Sequence, residues 1–205
     1  THIIRGVDHL NNAARQMQIY QAMGWQVPVF AHIPLIHGAD GAKLSKRHGA
    51  VGAEAYRDMG YLPEAMCNYL ARLGWGHGDD EIFSAEQAIA WFDLPQVGRS
   101  AARMDFDKLR SLNAHYILAA DDDRLLGLIE PRLAAQAARA LTEGERVQIR
   151  QLMPELKRRA KDLNELAEGT SFLVRKRPLE VDAKAAALLK PDASSLLAQI
   201  GRAHV

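Results

Sequence analysis

Apolar residues recur at helical spacing along most of this chain, and the first forty residues are the exception. There HIIRG (2–6) is a short apolar run closed by Gly6, and VPVFAHIPLI (27–36) is a second extended run interrupted by Pro28 and Pro34. Between them Leu10, Ala13, Ala14, Met17 and Tyr20 mark one face of a helix. The spacing predicts that helix from an Asp8 cap to about Met23, with Gly24 closing it in the left-handed conformation. Strand, helix, strand at this spacing is a βα unit of an α/β domain, too little alone to complete a parallel sheet.

Helical patterns dominate afterwards. Pro63 suits the first turn of a helix carrying Ala65, Met66, Tyr69, Leu70 and Leu73 and stopped by Gly74. GWGHGDDE (74–81) is a glycine-rich turn. Ser84 and Gln87 form a capping-box pattern before Ile89 and Phe92, and Asp105 caps a short helix bearing Phe106, Leu109 and Leu112. A longer helix begins near Asp121, with Leu125, Leu126, Ile129 and Leu133 on one face. Thr142 and Glu145 repeat the capping box. Pro154 is read as opening another helix, with Leu156, Ala160, Leu163 and Ala167 inward and Lys157, Arg158 and Lys161 opposite. From Val181 the chain is rich in Ala and Leu and again reads as helical. A composition shift at residues 116–121 marks the expected domain boundary.

Composition narrows the class. The chain has 205 residues, 48% hydrophobic and 25% charged, in the ordinary globular range. With 26 Lys+Arg against 25 Asp+Glu it is no uniformly basic nucleic-acid binder, so any such attraction must come from local patches. A single cysteine, Cys67, excludes an internal disulfide and a cysteine-cluster zinc site, and points to a cytoplasmic setting. No apolar run is long enough to span a bilayer, so no membrane partner is expected. The first residues, THIIRGVDHL, do not resemble a signal peptide and lack an initiator Met, which suggests a piece of a longer protein. The histidines do not cluster at metal-ligand spacing, so no zinc site is expected. Cys67 reads as core, and Trp25, Trp75 and Trp91 as packing anchors. Asp79, Asp80 and Glu81, with His77, read as a solvated turn.

The stretch with chemical content is HGADGAKLSKRHGA (37–50), which holds three Gly, two Lys, one Arg and two His. It reads as a mobile basic loop. Lys43 and Lys46, three apart, can both reach one polyphosphate. Cleaving ATP between its α- and β-phosphates spreads negative charge over the α-phosphoryl group and the departing pyrophosphate, and cations placed there lower the barrier. Gly38, Gly41 and Gly49 would let the loop close over a nucleotide, and Ser45 could add a hydroxyl donor. By spacing alone such a loop is more often solvated surface.

The flanking segments add to this. RGVDHL (5–10), RQMQIYQAMGW (15–25), FAHIPLI (30–36), DGAKLSKRHGA (40–50), PEAMCNYLARLGWGHGDDEIFS (63–84) and FDL (92–94) form an ordered series. The series resembles the class I aminoacyl-tRNA synthetases, specifically bacterial glutamyl-tRNA synthetase, in which KLSKR is the local form of the KMSKS signature. The resemblance runs from Thr1 through about Tyr116 and more faintly to the C-terminus.

It implies a mainly α chain with a partial α/β part, the second half of a Rossmann-type catalytic domain. Residues 1–50 would end that catalytic domain, 51–118 would form a helical stem-contact region, and 119–205 part of a helical anticodon-binding domain. It implies that Lys46 contacts ATP with Lys43 assisting, that Ser45 and Arg47 belong to the same nucleotide loop, and that Leu35 and Ile36 pack the adenine. Arg5 would grip the carboxylate of glutamate, a task that suits a bidentate guanidinium, with Asp8 and His9 lining that pocket. The partners implied are glutamate, ATP with Mg²⁺ and the glutamate tRNA, in a monomer. Two basic groups, Lys157, Arg158, Arg159 and Lys161, and Arg175, Lys176 and Arg177, fit phosphate contact, although a solvated helix face explains each singly. The His-Ile-Gly-His signature has no counterpart here, so the chain alone is expected to be inactive. The alternatives are a non-catalytic tRNA-binding module and the paralogue that attaches glutamate to a modified tRNA base. The helical extension past residue 120 argues against the paralogue.

Overall fold

The computed structural model describes residues 1–38, 40–44, 52–176 and 186–187. Strands β1 (His2–Gly6) and β2 (Val29–Ile33) pair in parallel, His2 opposite Val29 and Arg5 opposite His32. Helix α1 (Leu10–Ala22) makes the crossover, so the βα unit expected from the apolar spacing is present. Asp8 does not cap α1. It lies in a 3-10 turn, Val7–His9, that feeds the helix directly, and its carboxylate turns to Lys43 instead. Met23 ends α1 and Gly24 follows at φ +65°.

The rest of the fold among the described residues is helical. Helix α2 (Ala53–Asp58) leads through a tight turn to α3 (Pro63–Gly74), which has Pro63 in its first turn. Helix α4 (Ala85–Trp91) has the expected capping box, the Ser84 hydroxyl accepting from Gln87 N while the Gln87 side chain accepts from Ser84 N. Helices α5 (Phe106–Ala119) and α6 (Asp122–Ala137) begin at the Asp105 and Asp121 caps, and α7 (Glu143–Leu156) at the Thr142–Glu145 box. Helix α5 is longer than its sequence pattern indicated. Pro154 opens no helix. It lies inside α7, near its end, where its missing N–H removes one backbone bond on an exposed turn. A separate helix, α8 (Leu163–Thr170), starts at Asp162, whose carboxylate accepts from Asn164 N and Glu165 N.

Two apolar clusters organise these elements. The larger joins Leu62 and Ala65 of the α3 end, Ile117 of α5, and residues of α6, α7 and α8 such as Leu125, Ile129, Ile149, Met153 and Leu166. It therefore spans the composition shift at 116–121. The smaller gathers Tyr56, Tyr69, Met104 and Leu109, with Ile36 and Leu44 against them. Burying on the order of 1.5–3 kcal/mol per large side chain, such clusters dominate the stability. Some apolar positions are not buried. Ile89 is 80% exposed and Phe92 51%, so the α4 face is uncovered. Of the α1 face only Ala13 is buried. Trp25 is exposed and merely edges Tyr20, whereas Trp75 is a true anchor. Cys67 is exposed rather than core. No helix among the described residues is long and apolar enough to cross a membrane.

The turn between α2 and α3 is the mechanical junction. Gly60 has φ +90°, and a Cβ there would stand 2.7 Å from Leu163 N. Leu163 N donates to Gly60 O at 3.0 Å. Buried Asn113 of α5 accepts from Leu62 N and donates to Gly60 O and Lys161 O. Arg132 of α6 donates to Arg57 O and to Asn164 Oδ1, and Asn164 Nδ2 donates to Asp58 O.

Candidate functional site

The first half of the basic segment is a hairpin rather than a loop. His37 pairs antiparallel with Lys43, Gly38 N donates to Ala42 O, and Leu44 N donates to Ile36 O. Gly41 takes φ +78° at the tip. On its other side His37 is zipped to residues 102–104, donating to Ala102 O at 2.9 Å and accepting from Met104 N at 2.8 Å. Lys43 is thus carried on a fixed ladder, and its ammonium lies 3.1 Å from the Asp8 carboxylate. That ammonium holds the Asp8 carboxyl below its ordinary range. The later part of the segment, with Ser45, Lys46, Arg47, His48 and Gly49, lies outside the described residues.

Arg5 faces the same end of the sheet. Its register opposite His32 places the two on one face, and Arg5 Nε donates to His32 Nε2 at 3.4 Å. The guanidinium carbon lies 5.2 Å from the Phe30 ring centroid, a cation–π contact. One guanidinium nitrogen, Nη2, is buried without a hydrogen-bond partner among the described residues. A buried, unpartnered charged donor is costly, and a planar carboxylate is the group that would satisfy it. Asn12 Nδ2 donates to His9 Nδ1 at 3.2 Å. Leu35 and Ile36 are half-buried on the segment leaving β2, and Ile36 packs against the smaller cluster. Arg5, Asp8, His9, Leu35, Ile36 and Lys43 thus all belong to β1, the turn after it, and the segment from β2 to the hairpin. His32, Phe30 and Arg103 escaped the sequence reading. Only the pairing register, which puts His32 beside Arg5, could have signalled the first.

The family described as the catalytic domain of the class I tRNA synthetases (E and Q) matches residues 1–111, and an anticodon-binding domain matches residues 124–203. The chain belongs to the class I tRNA synthetases. Glutamate–tRNA ligase 2 of Rhizorhabdus wittichii is 62% identical over 97% of this chain and 42% of its own length, and that of Zymomonas mobilis 62% identical over 96% and 41%. The crystal structure of a glutamate tRNA ligase from Elizabethkingia meningosepticum, in complex with its amino acid, superposes with TM-score 0.75 at 30% identity, covering 97% of this chain and 43% of that one. This synthetase chain therefore spans about two fifths of the length of these relatives. Its mainly helical fold, with the small parallel βα unit, matches the corresponding part of that solved structure.

The basic residues past 120 divide by partner. Lys157 is largely buried and donates to Ala120 O and Asp122 Oδ1, so its ammonium fastens the start of α6. Arg158 pairs with Glu155 and Arg175 with Glu168. Arg159, Lys161 and Lys176 are exposed without side-chain ion pairs among the described residues. Arg177 lies outside them.

Proposed function

We propose that this chain supplies one wall of the active site, and much of the tRNA-binding surface, of a glutamate–tRNA ligase. The parent reaction joins glutamate to ATP, the substrate carboxylate attacking the α-phosphorus and pyrophosphate leaving. The glutamyl group then passes to the terminal ribose of the glutamate tRNA. The observation that carries the reading is the hairpin that presents Lys43, at the head of KLSKR, beside a βα unit whose Arg5 holds a buried nitrogen free for an anion.

In this reading Lys43 and Lys46 neutralise the polyphosphate as its charge develops, with Ser45 and Arg47 completing the loop. Arg5 takes the glutamate carboxylate, Asp8 and His9 line its pocket, and backbone groups at Leu35 and Ile36 meet the adenine. Asp8 also holds the Lys43 ammonium in place until the nucleotide arrives. No covalent nucleophile is needed, since catalysis is positioning plus charge stabilisation. Magnesium arrives with ATP as part of the substrate. Among the described residues no group of three His, Cys, Asp or Glu side chains could hold a metal ion. Residues 1–50 act in catalysis, 51–118 along the tRNA stem, and 119–205 toward the anticodon. Among the described residues there, Arg159, Lys161 and Lys176 have no side-chain ion pair, and Arg158 and Arg175 become available on exchanging their carboxylates for phosphate. The setting is the cytoplasm.

The test has two arms. Lys46→Ala in the full-length ligase should lower aminoacylation by at least 10²-fold, on the scale of losing one charge-stabilising donor. Unchanged aminoacylation rejects the assignment. The 205-residue chain alone should give no ATP–pyrophosphate exchange while retaining tRNA in a mobility-shift assay. Exchange by the chain alone would show that this wall suffices. The second reading, a non-catalytic tRNA-binding module, predicts the same tRNA retention but no loss of aminoacylation on Lys46→Ala, so the first arm distinguishes the two.

A further inference from the structure

Two rings of β2 hold the Arg5 side chain. In the parallel ladder Arg5 stands opposite His32 and Ile3 opposite Phe30. Side chains alternate across a strand, so Phe30 and His32 share a face with Arg5, while Ile4, Ala31 and Ile33 take the other. The Phe30 and His32 rings are stacked, 8° from parallel with centroids 6.4 Å apart. Pro28 precedes β2 and Pro34 follows it, so restricted backbone bounds the strand at both ends. The Arg5 guanidinium lies 5.2 Å from the Phe30 centroid, and its Nε donates to His32 Nε2 at 3.4 Å. All three side chains are on half-buried residues.

These contacts decide which edge of the guanidinium is left for a ligand. A guanidinium can grip a carboxylate through Nε with one Nη nitrogen, or through both Nη nitrogens. His32 takes Nε, which closes the first edge. The second edge carries the buried Nη2, which has no partner among the described residues. The chemistry of the holders matters as much as their place. Neither ring carries negative charge, and among the described residues Arg5 makes no ion pair, whereas Lys43 is matched by Asp8. A carboxylate at position 32 would also orient Arg5, but it would neutralise the guanidinium and compete with an incoming anion. An imidazole that accepts through Nε2 carries its proton on Nδ1 and is uncharged, so it orients Arg5 and leaves the positive charge to the ligand.

We propose that His32 and Phe30 are positioning residues for the amino-acid substrate, His32 occupying Nε of Arg5 and Phe30 its face, so that Nη1 and Nη2 meet a carboxylate of glutamate end-on. The proposal rests on the reading of Arg5 as the group that grips glutamate, and adds the orientation in which it does so. Both rings act through Arg5 and touch none of the reacting atoms. They therefore govern how well glutamate is held rather than how fast bound glutamate reacts.

The test is steady-state aminoacylation by the full-length ligase, with glutamate and ATP varied in turn. His32→Ala should raise the KM for glutamate about tenfold, the scale of a slightly misplaced positioning group. It should leave kcat and the KM for ATP within about twofold, the signature of lost ground-state binding. His32→Gln, whose amide oxygen can still accept from Nε, should recover most of the loss, and His32→Glu should exceed it. Phe30→Leu should raise the glutamate KM by a smaller factor than His32→Ala, and Phe30→Tyr should not raise it. In an Arg5→Lys background, which has no guanidinium to orient, His32→Ala should add nothing. Thermal unfolding checks that each variant is folded. Should His32→Ala fail to fold, the contrast of His32→Gln with His32→Glu decides on the same terms. An unchanged glutamate KM in His32→Ala overturns the proposal, as do equal damage to kcat and the KM for ATP, no recovery in His32→Gln, or the full loss recurring in the Arg5→Lys background. Arg5→Ala separates this proposal from the reading beneath it. If Arg5→Ala raises the glutamate KM and His32→Ala does not, the orientation alone is rejected. If Arg5→Ala leaves that KM unchanged, the role of Arg5 is rejected and the orientation with it.

Discussion

Glu145 shows how much one side chain can hold. It accepts from Thr142 N and the Thr142 hydroxyl, and both of its oxygens meet the Arg139 guanidinium. The Arg139 guanidinium, followed by the Thr142 backbone bond, lowers the Glu145 carboxyl from 4.5 to about 2. A carboxyl depressed in the folded state stabilises fully above its ordinary value and loses that contribution as pH falls from about 4.5 towards 2. Glu145→Gln should therefore cost about 1 kcal/mol at pH 7, since Arg139 is half-exposed and partly screened by solvent. Below pH 2 the two proteins should converge. Urea unfolding at a series of pH values checks both, and a constant difference down to pH 2 would refute the linkage. Arg5 is the opposite case, with one buried guanidinium nitrogen unpartnered among the described residues, as the proposed carboxylate site requires.

Helix ends were readable from short local rules, because a cap acts within one turn. Asp105, Asp121, Ser84 and Thr142 each accept the bond their sequence spacing indicates. Pro154 misled because a proline near a helix end removes only one backbone bond, whereas the Thr142 cap upstream had already set the helix direction. The hairpin at 37–43 was hidden for another reason. Its glycines and charges look like surface loop, and its order comes from residues 102–104, some sixty positions away. Lys43 is a candidate already from the spacing of the two lysines, whereas Arg5 and Asp8 become pocket candidates only through the motif series. The turn at Gly60 was hidden likewise, since its partners lie on α5, α6 and α8. Gly60→Ala should destabilise the protein by about 2 kcal/mol or more, combining a positive φ with a Cβ too close to Leu163 N. Thermal unfolding measures this, and a midpoint within a degree of the original would show that the turn relaxes freely.

The larger apolar cluster makes the chain a continuous body rather than two beads. Leu62, Ala65 and Ile117, from before the composition shift, are packed with Leu125, Ile129 and Leu166 from after it. The salt bridge of Arg124 with Glu64 and the pairing of Arg110 with Glu165 bind the same two halves at the surface. An engagement at the helical end therefore meets a stiff path to α2, the helix that follows the lysine segment. The same continuity governs any attempt at dissection. A polypeptide cut between α5 and α6 would leave an oily scar on each piece, so both should precipitate or bind hydrophobic dyes when produced separately, and recover only when mixed. Swapping the anticodon-side helices for those of a distant homologue would meet the same obstacle unless Leu62, Ala65 and Ile117 were exchanged along with them.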